Sequence, residues 1–154
     1  MIAVTAPGYH VTPTAHFSGV HNGILRIYKW DTASNTYIRE AEFPGAYEHW
    51  LGLSVAMNDI GNTIAVSAAP LIYLIDVIDY DYVRIYKKNT SGTWTLDQTI
   101  PAPTPDNMDS TFGYLSMSGT GNVLMIGQNQ LTVDGAIHFY KFDSTTQKDA
   151  KIST

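Results

Sequence analysis

The chain has 154 residues, 44% hydrophobic and 15% charged, a balance that supports one folded domain with a sizeable core. Its formal charge of −5 gives no electrostatic reason to expect nucleic acid or an anionic membrane as partner. With no cysteine, disulfides, thiolate metal sites and cysteine nucleophiles are excluded. Ten Tyr, three Trp and five Phe, set among many Thr, Val and Ile, favour strands. The longest apolar run, 71–78, is broken by Asp76 and followed by Asp79 and Asp81, far short of a membrane span. Residues 1–8 lack a basic leader region and are interrupted by Pro7 and Gly8, so no secretory signal is read there.

Taken in order, 2–6, 25–30 and 36–43 read as strands, then 51–57, 63–68, 82–88 and 94–100. A last group follows at 112–118, 123–127, 136–142 and near 148–153. Turn chemistry separates them, as in Asn58–Asn62 and the NTSG of 89–92. No stretch sustains apolar residues at i, i+3, i+4, i+7, so almost no helix is expected.

The groups repeat. GILRIYKW at 23–30, DYVRIYKK at 81–88 and GAIHFYKF at 135–142 align on Tyr28, Tyr86 and Tyr140, spaced by 58 and 54 residues. The preceding apolar strands align Ile2, Ile64 and Leu124, spaced by 62 and 60. Similarity at a fixed period of this length signals a propeller or another repeat array. The expected fold is all-β: four-stranded antiparallel blades of a β-propeller, about three present. Blade A is partial over 1–46, blade B covers 47–104 and blade C covers 105–154. Strands apolar on both faces, such as IAVSAA at 64–69, fit sheets covered on both sides, and the small Ala65, Ser67 and Ala68 fit close sheet approach. Three blades do not close a ring that typically has four to eight. The outer sides of the first and last blades are therefore expected to be apolar patches needing further blades of a parent chain, or other subunits. The opening copy lacks its first strand, so an FG-x-S-like strand is expected before Met1, or from a partner.

The FG element at Phe112-Gly113, and Leu51-Gly52 with Leu for Phe, precedes a Gly-Asn turn, an apolar strand and G-x-φ-x-φ-Y-K. Ala6-Pro7 and Ala69-Pro70 supply an AP element, from which Gly127-Gln128 departs. This layout resembles the FG-GAP repeat, the blade unit of integrin-type propellers and many surface proteins. Calcium-binding members carry an Asp-rich DxDxDG-type loop between their first two strands. Asn58-Asp59-Ile60-Gly61-Asn62 offers one carboxylate and Ser118-Gly119-Thr120-Gly121-Asn122 none, too few for the six to eight oxygens calcium takes. A non-calcium variant is expected, with no metal at those turns and no cofactor.

The long connections are 7–22, 69–81 and 128–134 within blades, and 44–50 and 101–111 between them. In a propeller both sets emerge on one face, where a rigid scaffold presents binding residues. Candidate binding residues are Tyr73, Asp76, Asp79, Tyr80 and Asp81, with Tyr47, His49 and Trp50 on the neighbouring connection. Acidic and aromatic residues in one loop, Tyr82 included, suit a cation or glycan site; a solvated loop over packed Leu71, Ile72, Leu74 and Ile75 is the competing reading. His10, His16 and His21 share a connection, but their spacing matches no zinc motif. Lys29, Lys87 and Lys141 recur beside the Tyr column, where their stems can cover apolar area. His138 falls in the column of Arg26 and Arg84, pointing to a structural role.

No G-x-S-x-G, P-loop or dinucleotide glycine pattern occurs, so no catalytic residue is assigned. The expected function is a non-enzymatic binding or structural segment of a larger surface, appendage or virion protein. It would act in adhesion or assembly through loop contacts with protein or carbohydrate. Extracellular, cell-surface or virion location is what the resemblance implies. The alternative is a glycan-active propeller enzyme using carboxylates among Asp76, Asp79, Asp81, Asp106 and Asp109, completed by other blades.

Overall fold

Three groups of short strands, each rich in β-branched and aromatic residues, form three separate antiparallel sheets in the computed structural model. The structure describes residues 1–10, 21–46, 49–69, 81–103, 110–130, 135–143 and 148–153. The first sheet is β1 (Ile2–Thr5), β2 (Ile24–Asp31) and β3 (Thr36–Pro44), in that order. The middle sheet is β4 (Val55–Met57), β5 (Thr63–Ala68), β6 (Tyr82–Lys88) and β7 (Trp94–Pro101). The last is β8 (Ser110–Met117), β9 (Val123–Gln130), β10 (Ala136–Asp143) and β11 (Lys148–Ser153). Among the described residues there is no helix.

The repeat extends to irregularities. In each sheet the pairing slips immediately before the aligned tyrosine, between Ile27 and Tyr28, Ile85 and Tyr86, and Phe139 and Tyr140. A bulge adds local twist to the strand pair, and three bulges at one repeat position make the sheets copies of one unit. The opening turns match as well. Gly61 and Gly121 both adopt left-handed φ, and their N–H groups donate to the carbonyls of Asn58 and Ser118. Buried Asn58 anchors the middle turn, its Oδ1 accepting 3.0 Å bonds from the N–H groups of Asn62 and Thr63. Replacing Asn58 by Ala strands those donors and is expected to cost about 1–2 kcal/mol, read as a lower denaturation midpoint.

Stacking follows from strand alternation. On β5, Ile64, Val66 and Ala68 face the first sheet, where they bury with Leu25, Ile27 and Tyr86, while Ala3, Ala41 and Phe43 pack around them. The opposite face offers Ala65, Val83, Ile85 and Ile100, buried with Phe112, Leu124, Ile126 and Tyr140 of the last sheet. All of β5 is buried, as two covered faces require. The strand expected at 51–57 is shorter than its sequence suggests. Gly52 takes a positive φ and a Cβ on it would lie 2.7 Å from the Thr5 Cβ, so the chain kinks against the first sheet and pairs from Val55. Gly113 repeats the contact one unit later: a Cβ there would overlap the Ser67 Cβ. Small residues at 5, 52, 67 and 113 thus set how closely neighbouring sheets approach.

Polar ties cross the same joints. Glu40 of the first sheet accepts from Lys88 Nζ at 2.8 and 2.9 Å and from Trp94 Nε1 at 3.1 Å, both on the middle sheet. Lys87 Nζ lies 4.2 Å from the Phe142 ring centre and 3.0 Å from Asp97 Oδ2. The lysine column therefore does more than cover apolar area at this position. Asp59 N–H donates to the Gly119 carbonyl at 2.9 Å, docking the opening turns of two sheets.

Candidate functional site

Antiparallel order puts the C-terminal ends of β1, β3, β5, β7 and β9 at one edge of the stack, where every long connection joins. The described residues flanking that edge show how it is built. The Tyr9 carbonyl accepts from the N–H groups of Asn22 and Gly23 at 3.0 and 3.1 Å, closing the base of the first connection. Residues 49–51 lie alongside 21–23. Trp50 N–H donates to the His21 carbonyl at 3.1 Å and Leu51 N–H to that of Asn22 at 3.0 Å, giving a parallel bridge from Gly23 to Leu51. A side chain at Gly23 would meet the Leu51 main chain, so this approach requires glycine.

Trp50 is held at φ 47°, a left-handed conformation that bulky residues seldom adopt. Its ring lies 4.2 Å from that of His21, which is 4.7 Å from His10, so three rings run in a row along the edge. The Trp50 indole N–H and His10 Nδ1 are buried without a hydrogen-bond partner among the described residues. His49 lies 5.5 Å from the Tyr82 ring, and the Arg84 guanidinium sits 4.9 Å from the same ring. Beside this row, Arg26 spans from the Tyr9 ring to Glu42, whose carboxyl is held below its ordinary pKa by the bond from Arg26 and the nearby charge of Arg39.

Of the residues singled out in the sequence, His49 and Trp50 do come to this edge. Tyr47, Tyr73, Asp76, Asp79 and Tyr80 lie outside the described residues, as do His16, Asp106 and Asp109. Asp81 and Tyr82 have structural places instead. Asp81 is 5% exposed, and its Oδ2 accepts the Phe112 N–H of the last sheet at 2.7 Å. It occupies the repeat position of Gly23 and Gly135. Where Gly23 lets the next unit bond main chain to main chain, Asp81 holds the next unit's main chain through its carboxylate. Tyr82 is 8% exposed and packs in the core between the first two sheets. Asp81→Ala removes the acceptor of a buried N–H and is expected to cost about 2 kcal/mol, with Asp81→Asn milder, as measured by urea unfolding.

His138 is buried, 3.0 Å from Gln128 Oε1 and edge-on to Phe112, in keeping with a structural role. Among the described residues no group of three His, Asp or Glu side chains is placed to hold a metal ion. No helix among them is long and apolar enough to cross a membrane. Sequence reasoning named Trp50 but not its left-handed backbone or its stacking on His21, and it passed over His10 and His21 as a stacked pair. The signal available was only their shared edge, because ring stacking leaves no spacing rule in a connection. No protein-family model matches the chain, and no curated protein matches it in sequence.

Proposed function

We propose that this chain is a segment of a β-propeller of the FG-GAP-like type, a non-enzymatic scaffold acting in adhesion or assembly. Its partner is a protein or carbohydrate met at the edge where the long connections join, on an exterior structure such as a cell surface, appendage or virion. The observation that carries the reading is the repeated joint. One unit stacks face to face on the next with the same bulge and the same glycine contact, and its long connections go to one edge. A rigid stack with its loops collected at one side is how binding loops are displayed. The row His10, His21 and Trp50 supports this edge as the contact surface. Aromatic faces stack on sugar rings or side chains, and the Trp50 indole N–H, unpaired among the described residues, is a donor that a ligand oxygen would satisfy.

Binding to an oligosaccharide array and to immobilised surface-protein fractions tests this. The wild-type protein is expected to retain a defined ligand, and Trp50→Ala or Tyr80→Ala to weaken it at least about tenfold, the loss of roughly 1.4 kcal/mol. Ligand binding indifferent to both variants would move the contact away from this edge. Hydrolysis of a glycan probe, abolished by an Asp→Asn change at 76, 79, 106 or 109, would contradict the non-enzymatic reading.

A further inference from the structure

The joint between sheets has a direction. Each sheet receives the following unit on one face, which for the middle sheet carries Ala65, Ser67, Val83 and Ile85. It presents the other face, carrying Ile64, Val66, Ala68 and Tyr86, to the preceding unit. By repeat register, the receiving positions on the last sheet are Met125, Gly127, Ile137 and Phe139. The presenting positions on the first sheet are Ile2, Val4, Ala6 and Tyr28. Ile2, Val4, Ala6, Met125 and Ile137 are exposed, and Tyr28, Gly127 and Phe139 are half-buried. Val4 is 48% exposed on the first sheet and Ile137 54% on the last. A groove of about 310 Å³ on the last sheet is lined by Tyr114, Met125, Gly127 and Ile137 along with Ser54.

The two end faces also match chemically. Across the internal joint, the Lys87 ammonium rests on the Phe142 ring. At the ends the equivalent residues are Lys141 and Trp30, both exposed. A cation on one end face and an aromatic ring on the other thus stand at the two halves of a cation–π pair.

We propose that the last sheet of one copy packs on the first sheet of a second copy, head to tail, in the register of the internal joints. This rests on the propeller reading above. The first sheet has no described counterpart of β4, so a joint between copies lacks the contacts that Leu51, Gly52, Val55 and Met57 make across the internal one and rests on the faces of β1 and β2. The contact is heterologous, so it closes only when both ends of each copy are engaged. Two copies with three sheets each bring six into sequence, within the range of about four to eight blades in closed propellers.

Sedimentation equilibrium at micromolar concentration is expected to give twice the 17.0 kDa chain mass. Val4→Arg spoils only the presenting face and Ile137→Arg only the receiving face, each being exposed within the chain. Each variant alone is expected to sediment as a single chain with an unchanged far-UV spectrum. An equimolar mixture rebuilds one of the two joints, the unaltered last sheet of Val4→Arg on the unaltered first sheet of Ile137→Arg, and is expected to sediment as an open two-chain species that neither variant forms alone. A single-chain wild-type protein, variants that still pair, or a mixture that stays dissociated would each overturn the proposal. A single-chain protein whose Gly113 still lies against Ser67 would leave the propeller reading standing, whereas loss of that contact would remove the reading itself.

Discussion

Gly113→Val is expected to be the most damaging single substitution in the described part of the chain, costing at least about 3 kcal/mol. A Cβ at 113 would overlap the Ser67 Cβ, and Ser67 is wholly buried on the central strand of the middle sheet. Neither side chain is long enough to swing aside, so the last sheet has to lift. Lifting opens the packing of Phe112, Leu124 and Ile126 against Ala65, Val83 and Ile85. For a chain of this length, about 3 kcal/mol lowers the melting temperature by roughly 6–12 °C. Ser67→Gly removes the atom that is struck. On its own it loses the Ser54 N–H bond to Ser67 Oγ, but combined with Gly113→Ala it is expected to cost less than the two singles summed. Additive losses in that cycle would mean that the two residues do not meet.

Glu40→Ala carries the second large expected effect, about 2–3 kcal/mol. The substitution strands the Lys88 ammonium and the Trp94 indole N–H, which both donate to Glu40 across the joint between the first two sheets. The Lys88 and Glu40 side chains are 22% and 18% exposed, so the cost falls below the roughly 3–5 kcal/mol of breaking a fully buried pair. Burial alone would raise the Glu40 pKa, but the bonds from Lys88 and Trp94 outweigh it and hold the carboxyl below 4.5. A lowered folded-state pKa means the stabilisation is fully present above about pH 4.5 and is lost as pH falls through the folded value. Denaturation midpoints of wild type and Glu40→Gln are therefore expected to converge as pH drops below 4.5. A gap that stays constant with pH would show that the carboxylate charge contributes nothing.

The strands were legible because a repeat reads itself three times. Period-two alternation on 82–88 alone is ambiguous, but set beside 24–30 and 136–142 it fixes both the strand and the tyrosine that marks the bulge. Where the sequence misled, the cause was local. Leu51 to Ser54 reads as strand by hydrophobicity, yet Gly52 kinks it against Thr5. Asp81 reads as the end of an acidic loop, but its charge is turned inward to hold the Phe112 N–H. Nothing in residue type distinguishes a solvated carboxylate from one capping the next sheet. Glu40, Lys88 and Trp94 were illegible for a different reason. They come together across 48 and 54 residues, and no other unit repeats the trio. Of the candidate site, His49 and Trp50 were named from their place on an inter-unit connection. The stacking of Trp50 on His21 depends on the parallel bridge at Gly23, which no spacing announces.

The central claim is that successive units stack face to face through a repeated glycine contact. Nuclear Overhauser spectroscopy on the labelled protein tests it most directly. Cross-peaks are predicted between Gly113 Hα and Ser67 Hβ, and between Gly52 Hα and the Thr5 methyl group, each linking two sheets. A spectrum with the expected contacts within each sheet and neither of these between sheets would contradict the account.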